Sequence, residues 1–165
     1  MLRDIPPGMH CFVDTNIFYY SLVSIPPLTA ECVDFLKRVE RRELMVSTSS
    51  AAVAEAIHKV MLAEAVQRHS LNRQGLTHRL QRQVQLIAGL TEHTKVAALI
   101  RALSLHVEPI TLDLLERAAL LSTQHRLLTN DALTLAVIEK LAISHLATND
   151  DNFDAVSGMT VWKPR

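Results

Sequence analysis

Short apolar runs alternate along this chain with longer amphipathic stretches. That alternation predicts βα units on a parallel sheet rather than an all-helical bundle. Strands are expected at about 10–13, 43–47, 105–109, 144–148 and 159–163, and helices at about 16–22, 29–42, 50–68, 71–89, 93–104, 112–125 and 131–142. Helix start signals accompany several of these. Ser49 or Ser50 can cap the third helix, Thr111 precedes Asp113 in the first turn of the sixth, and Thr129 or Asn130 can cap the seventh. Pro26-Pro27 separates the first two helices. No repeat, low-complexity tract or linker divides the chain, so residues 1–165 are expected to form a single domain.

Composition narrows the possibilities without choosing among them. The chain has 165 residues, 48% of them hydrophobic, enough to bury a continuous core. Its formal net charge is zero, so any nucleic-acid contact must be local rather than spread over a basic surface. The two cysteines, Cys11 in an expected core strand and Cys32 in an expected helix, make neither a disulfide framework nor a zinc site. They suit a reducing compartment. Residues Met1 to Gly8 contain no apolar signal segment, and no stretch approaches the roughly 18 uninterrupted apolar residues of a membrane span. A cytoplasmic protein without a membrane partner is expected.

Four acids change the picture. Asp14 ends the run His10-Cys11-Phe12-Val13, Glu55 lies in Ala51-Ala52-Val53-Ala54-Glu55-Ala56-Ile57, Asp131 opens a helix after Asn130, and Asp150 closes Leu146-Ala147-Thr148-Asn149. Each is set among apolar or small residues, and no Lys or Arg stands next to any of them in sequence. A carboxylate in such surroundings needs a partner, and one divalent cation would serve all four. Asp14 and Asp150 are expected at the carboxyl ends of parallel strands, where open α/β sheets bind ligands. Asp131 sits in a first helical turn, and Glu55, about a turn into its helix, can tilt back toward the same crevice. Mg²⁺ or Mn²⁺ suits a site of a few carboxylates with room for water and a phosphate. In this reading Asp14 and Asp150 are direct ligands, Asp131 binds directly or through water, and Glu55 binds through water or orients an attacking water. Thr15, Asn16, Thr148 and Asn149 are candidates for the hydrogen bonds that fix the carboxylates.

The apolar strand ending in Asp14-Thr15-Asn16, the helix start Asn130-Asp131-Ala132-Leu133, and Thr148-Asn149-Asp150-Asp151-Asn152-Phe153 together resemble the PIN-domain family, in particular its VapC-type toxins. Ser47-Thr48-Ser49-Ser50 before the Glu55 helix is a weaker fourth match. The resemblance implies a three-layer α/β/α sandwich with a five-stranded parallel sheet. It also implies a Mg²⁺- or Mn²⁺-dependent ribonuclease, commonly a homodimer, held in check by a small antitoxin protein. The chain departs from the pattern between about 65 and 104, where it is longer than small members of the family.

Other constellations fail. Glu55-x-x-His58 is half of a di-iron carboxylate motif whose second half is missing, and Asn16 stands where an aspartyl phosphatase needs a second acid. His145 reads as a strand residue with a satisfied ring. From Ala65 to Thr91 there is no acid, while Arg68, Arg73, Arg79 and Arg82 occur there. Arg73, Arg79 and Arg82 are candidates for contact with RNA phosphates or an acidic partner, against a solvated pair of helices. The acids predict a metal site, and the resemblance implies a metal-dependent endoribonuclease, the toxin of a toxin–antitoxin pair. Two other readings stay open: a catalytically silent RNA- or protein-binding module, and a structure-specific DNA nuclease.

Overall fold

The structure is a computed structural model that describes residues 1–165. Its order is β1 (His10–Val13), α1 (Thr15–Leu22), α2 (Leu28–Glu40), β2 (Met45–Ser49), α3 (Ser50–His69), α4 (Leu76–Arg82), α5 (Thr94–Ala102), β3 (His106–Glu108), α6 (Leu112–His125), α7 (Thr129–Lys140), β4 (His145–Ala147) and β5 (Thr160–Trp162). All five strands are parallel, in the order β3-β2-β1-β4-β5. The chain therefore builds outward in one direction from β1 and then returns to build the other half from β4. The reversal falls between β1 and β4, which pair with Val13 opposite Ala147.

β1 is buried on both faces, as an apolar run in the middle of a parallel sheet must be. Cys11 and Val13 pack into a core with Ile17, Phe18, Phe35 and Leu36, whereas Phe12 packs on the opposite side with Leu121, Leu135, Ile138 and Leu146. Side-chain alternation along the strand thus feeds two cores. α1, α2, α3 and α5 cover one face and α6 and α7 the other, giving the three-layer α/β/α sandwich. Both cysteines are free and buried, and no helix is long and apolar enough to cross a membrane.

Ser49 caps α3 by accepting from the Ala52 N–H at 3.1 Å, and Thr111 caps α6. The seventh helix starts at Thr129, so neither Thr129 nor Asn130 is its cap; Leu128 precedes it without a side-chain cap. The larger departure is the helix expected over 71–89. Ser70 closes α3 in the left-handed conformation, Gly75 takes φ +67°, α4 runs only from Leu76 to Arg82, and a 3-10 turn follows at Val84–Leu86. Leu76 and Leu80 bury one face of α4 against Ala65; after exposed glutamines and Val84 the chain leaves the helix, and Leu86, Ile87 and Leu90 pack into the same small cluster from the turn that follows. The segment is also secured by Glu64 of α3, whose carboxylate accepts from the N–H groups of Thr91 and Glu92, and by Arg68 donating to the Gly89 carbonyl.

Candidate active site

A cleft of about 540 Å³ opens at the carboxyl ends of β1 and β4. Asp14, Glu55, Asp131 and Asp150 all line it, together with Asn16, Lys59, Asn130, Thr134 and Asn152. The four acids come from four separate elements. Asp14 follows β1 and caps α1, Glu55 lies on α3, Asp131 lies in the first turn of α7, and Asp150 follows β4 and caps a 3-10 turn at Asp151–Phe153.

Asp14 is the most enclosed. Its Oδ1 accepts from the Thr15 N–H at 2.7 Å, and its Oδ2 accepts from Asn16 Nδ2 and Thr148 Oγ1, each at 2.6 Å. Asn16 also donates to Thr148 Oγ1 at 2.9 Å and accepts from the Asn149 N–H at 3.0 Å, so this one amide bolts the end of β1 to the end of β4. Thr148 Oγ1 in turn accepts from the Asp150 N–H. Thr15 Oγ1 reaches Glu55 Oε2 at 3.3 Å and the Ala52 carbonyl at 3.2 Å, tying α1 to α3. The four polar residues that flank the acids in sequence all take part in one hydrogen-bond web around Asp14.

Burial pushes the Asp14 carboxyl above its ordinary range, and the charge of Glu55 adds to this despite the bonds from Thr148 and Thr15. Asp131 is raised as well, first by burial and then by the charges of Asp150 and Glu55, against a bond from Asn152 Nδ2 at 3.1 Å. Mutual repulsion among the acids is therefore felt at two of the four positions.

Two cleft residues that contact the acids, Lys59 and Asn152, are given no role in the sequence reading. Lys59 Nζ stands 2.8 Å from Glu55 Oε1, and despite desolvation the charges of Glu55 and Asp14 hold its ammonium above the usual lysine range. No Lys or Arg adjoins Glu55 in sequence, yet the fold of α3 brings one beside it. Residues four apart on a helix are neighbours, so the Glu55–Lys59 spacing was the available signal. Asn152 bonds Asp131 and gives its N–H to Asp150 Oδ1 at 2.9 Å, which links the two acids. Its signal was the short Asx turn that Asp150 begins. Asp151 and Asp154 both face Lys163, each at 2.6 Å.

The donor set fits a hard divalent cation in kind, being all oxygen and negatively charged. No three His, Cys, Asp or Glu side chains yet share a geometry that could hold one ion. Glu55 is turned to Lys59 and Asp131 to Asn152, so an ion would have to draw both carboxylates from these neutralising contacts. Of the arginines singled out earlier, Arg73 lines a hollow beside the cleft, whereas Arg79 and Arg82 are exposed and line neither space. His58 is exposed, and His145 Nδ1 accepts from Trp162 Nε1 at 3.1 Å.

The family model for the PIN domain matches residues 11–159. Among solved structures, the chain is similar to VapC20 of Mycobacterium tuberculosis, described as a sarcin-ricin loop cleaving toxin. The TM-score is 0.60 at 21% identity, covering 89% of this chain and 95% of that one. VapBC2 of Rickettsia felis, solved bound to a DNA fragment from its promoter, gives a TM-score of 0.58 at 14% identity over 95% and 100% of the two chains. A toxin–antitoxin complex from Klebsiella pneumoniae gives 0.51 at 17% identity, over 91% of this chain and 95% of that one. No curated protein matches the chain at a significant level. At these identities the likeness is one of fold.

Proposed function

The chain belongs to the PIN-domain family, and on that premise we propose that it is a metal-dependent endoribonuclease, the toxin half of a toxin–antitoxin pair. The observation that carries this reading is the meeting of Asp14, Glu55, Asp131 and Asp150 in one cleft at the strand reversal, with only Lys59 to balance them. The toxin and toxin–antitoxin descriptions of the fold's neighbours support it. In this reading residues 1–165 act as one cytoplasmic domain, paired as a homodimer and neutralised by an antitoxin protein.

Asp14 and Asp150 would hold a Mg²⁺ or Mn²⁺ ion directly and Asp131 directly or through water. Such an ion lowers the pKa of a bound water and offsets charge on phosphate oxygens. Glu55 orients the attacking water by accepting its hydrogen bond. Thr15, Asn16 and Thr148 keep the Asp14 carboxylate in place, and Asn149 and Asn152 do the same for the loop around Asp150. Lys59, once released from Glu55, is placed to bind a phosphate oxygen of the substrate.

Purified protein should cut labelled single-stranded RNA with Mn²⁺ or Mg²⁺, and not with chelator or as Asp14→Asn. Cleavage that survives both chelator and the substitution overturns the reading. A catalytically silent binding module is the second reading, favoured by the ammonium already seated against Glu55. It predicts RNA binding without any metal-dependent cleavage.

A further inference from the structure

A separate hollow of about 340 Å³ adjoins the carboxylate cleft and shares Asn16 and Lys59 with it. Tyr19 and Tyr20 of α1, Leu62 of α3, Leu76 of α4 and Arg73 line it, and no acid does. Its size falls among small-ligand sites, which are about 300–1,000 Å³. Aromatic rings and leucines with cations at hand suit a flat, apolar-faced group that carries negative charge. A nucleotide has that chemistry, because any base offers a π-face to an aromatic ring and each phosphate offers oxygens to a guanidinium or ammonium.

The rings are held ready. Their centroids lie 5.6 Å apart with the planes tilted by 56°, so neither ring covers the other face to face. Both pack by one side against the core, and the Tyr20 hydroxyl accepts from Asn149 Nδ2 at 3.3 Å. Asn149 also donates its N–H to Asn16, so Tyr20 is tied to the web that positions Asp14. Rings already fixed in this way lose little freedom when a base stacks on them. Arg73 is exposed, and its guanidinium takes part in no ion pair and no side-chain hydrogen bond. Its guanidinium is therefore open to a phosphate.

We infer that this hollow is a base-binding subsite for a nucleotide next to the scissile phosphate of single-stranded RNA. Tyr19 or Tyr20 lies against the base, and Arg73 and Lys59 bind the flanking phosphates. The inference rests on the ribonuclease reading above. It adds that the substrate must be unpaired at this position, since a base inside a duplex cannot leave its stack to enter without cost.

The test uses full-length Asp14→Asn protein, which binds without cutting, and a fluorescein-labelled single-stranded oligoribonucleotide. Replacing the stacking tyrosine with leucine (Tyr19→Leu or Tyr20→Leu) should weaken binding at least about fivefold. The matching phenylalanine variant keeps the ring and should stay within about twofold of the parent. Arg73→Gln should make the logarithmic salt dependence shallower by about 0.7. A set of oligonucleotides, each lacking one base, adds a decisive readout: at one position the missing base should weaken the parent as much as the leucine does, and add nothing further in the leucine variant. Leucine variants that bind like the parent, or base losses that add at every position, overturn the subsite. Affinity lost with Arg73 alone would also overturn it, and would fit an acidic protein segment instead. Cleavage by wild type with Mn²⁺ separates the two levels: a cleaving enzyme with indifferent tyrosines ends the subsite only, whereas wild type that neither binds nor cuts RNA ends the ribonuclease reading too.

Discussion

Glu108 and Asp14 both sit at the carboxyl end of a parallel strand, and the fold provides for them in opposite ways. Glu108, on β3, is 6% exposed, with Lys140 Nζ at 2.6 Å and His106 Nε2 at 3.1 Å. The Lys140 and His106 bonds hold its carboxyl below the ordinary range. Asp14 receives three neutral donors and no cation of its own, and burial holds it above that range. An acid that serves the fold is given its counter-charge in the same chain. The acids at the strand reversal share one lysine, Lys59, seated on Glu55, so Asp14 keeps most of its charge unbalanced within the chain.

The sharpest way to break this contrast is to neutralise each acid in turn. Asp14→Asn and Asp150→Asn should each lose at least thirtyfold in metal-dependent RNA cleavage, about 2 kcal/mol of transition-state stabilisation, while remaining folded by circular dichroism. Glu108→Gln should do the reverse, lowering the melting temperature by several degrees while cleavage persists. Equal losses of activity in all three variants would erase the distinction.

Added metal sharpens it further. At ten times its dissociation constant, Mn²⁺ should stabilise wild type by about 1.4 kcal/mol, roughly 4 °C in a chain of this size. Asp131→Asn should melt higher than wild type without metal, because one repulsive charge is gone, and should respond less to Mn²⁺. Glu108→Gln should respond fully. Thermal scans that show no Mn²⁺ effect at millimolar concentration would remove the metal from the account.

Acidity should separate the two acids by sign. Asp14 is raised in the folded chain, so between its ordinary value of about 4 and its folded value the native state keeps a proton that the unfolded state has lost. Its ionisation therefore subtracts stability as pH rises through that window, and the metal-free Asp14→Asn protein should lack this fall. Glu108 is lowered, so its contribution is present above the ordinary glutamate range and disappears as pH falls through its folded value. Denaturant titrations at a series of pH values in chelator would test both. The smallest effect belongs to Lys59→Met. The Lys59 side chain is 44% exposed, and its pair with Glu55 is worth at most about 1 kcal/mol. Its loss should slightly lower the metal-free melting temperature and enlarge the Mn²⁺ response.

Much of this architecture is legible in the residues because the parallel sheet is buried on both faces. An apolar run such as His10–Val13 then has few alternatives, and the expected span coincides with β1. α6, with Thr111 before it, is also found where its cap and periodicity put it. The segment from 71 to 89 misleads because its residues are compatible with a helix, while the chain leaves the helix after Arg82 and its later apolar residues pack from a 3-10 turn and the loop beyond it. Lys59 was hidden by reading neighbours along the chain, although on a helix the neighbour of residue 55 is residue 59. Asn16 could be guessed as a support for Asp14, but its grip on Thr148 and Asn149 depends on β4 pairing beside β1, which no local pattern states.

That grip has a consequence for synthesis. Thr148 and Asp14, joined by a hydrogen bond, are 134 residues apart in sequence. β1, β2 and β3 can pair as soon as they leave the ribosome, yet Asp14 then faces an open sheet edge with neither Thr148, Asn149 nor Asp150 beside it. Only when β4 docks against β1 does the cleft close into one space. A nascent or truncated chain that stops short of β4 could carry most of the fold and still lack the site: Asp14 and Glu55 can meet through α1 and α3, but Asp150 joins them only after translation has passed β4.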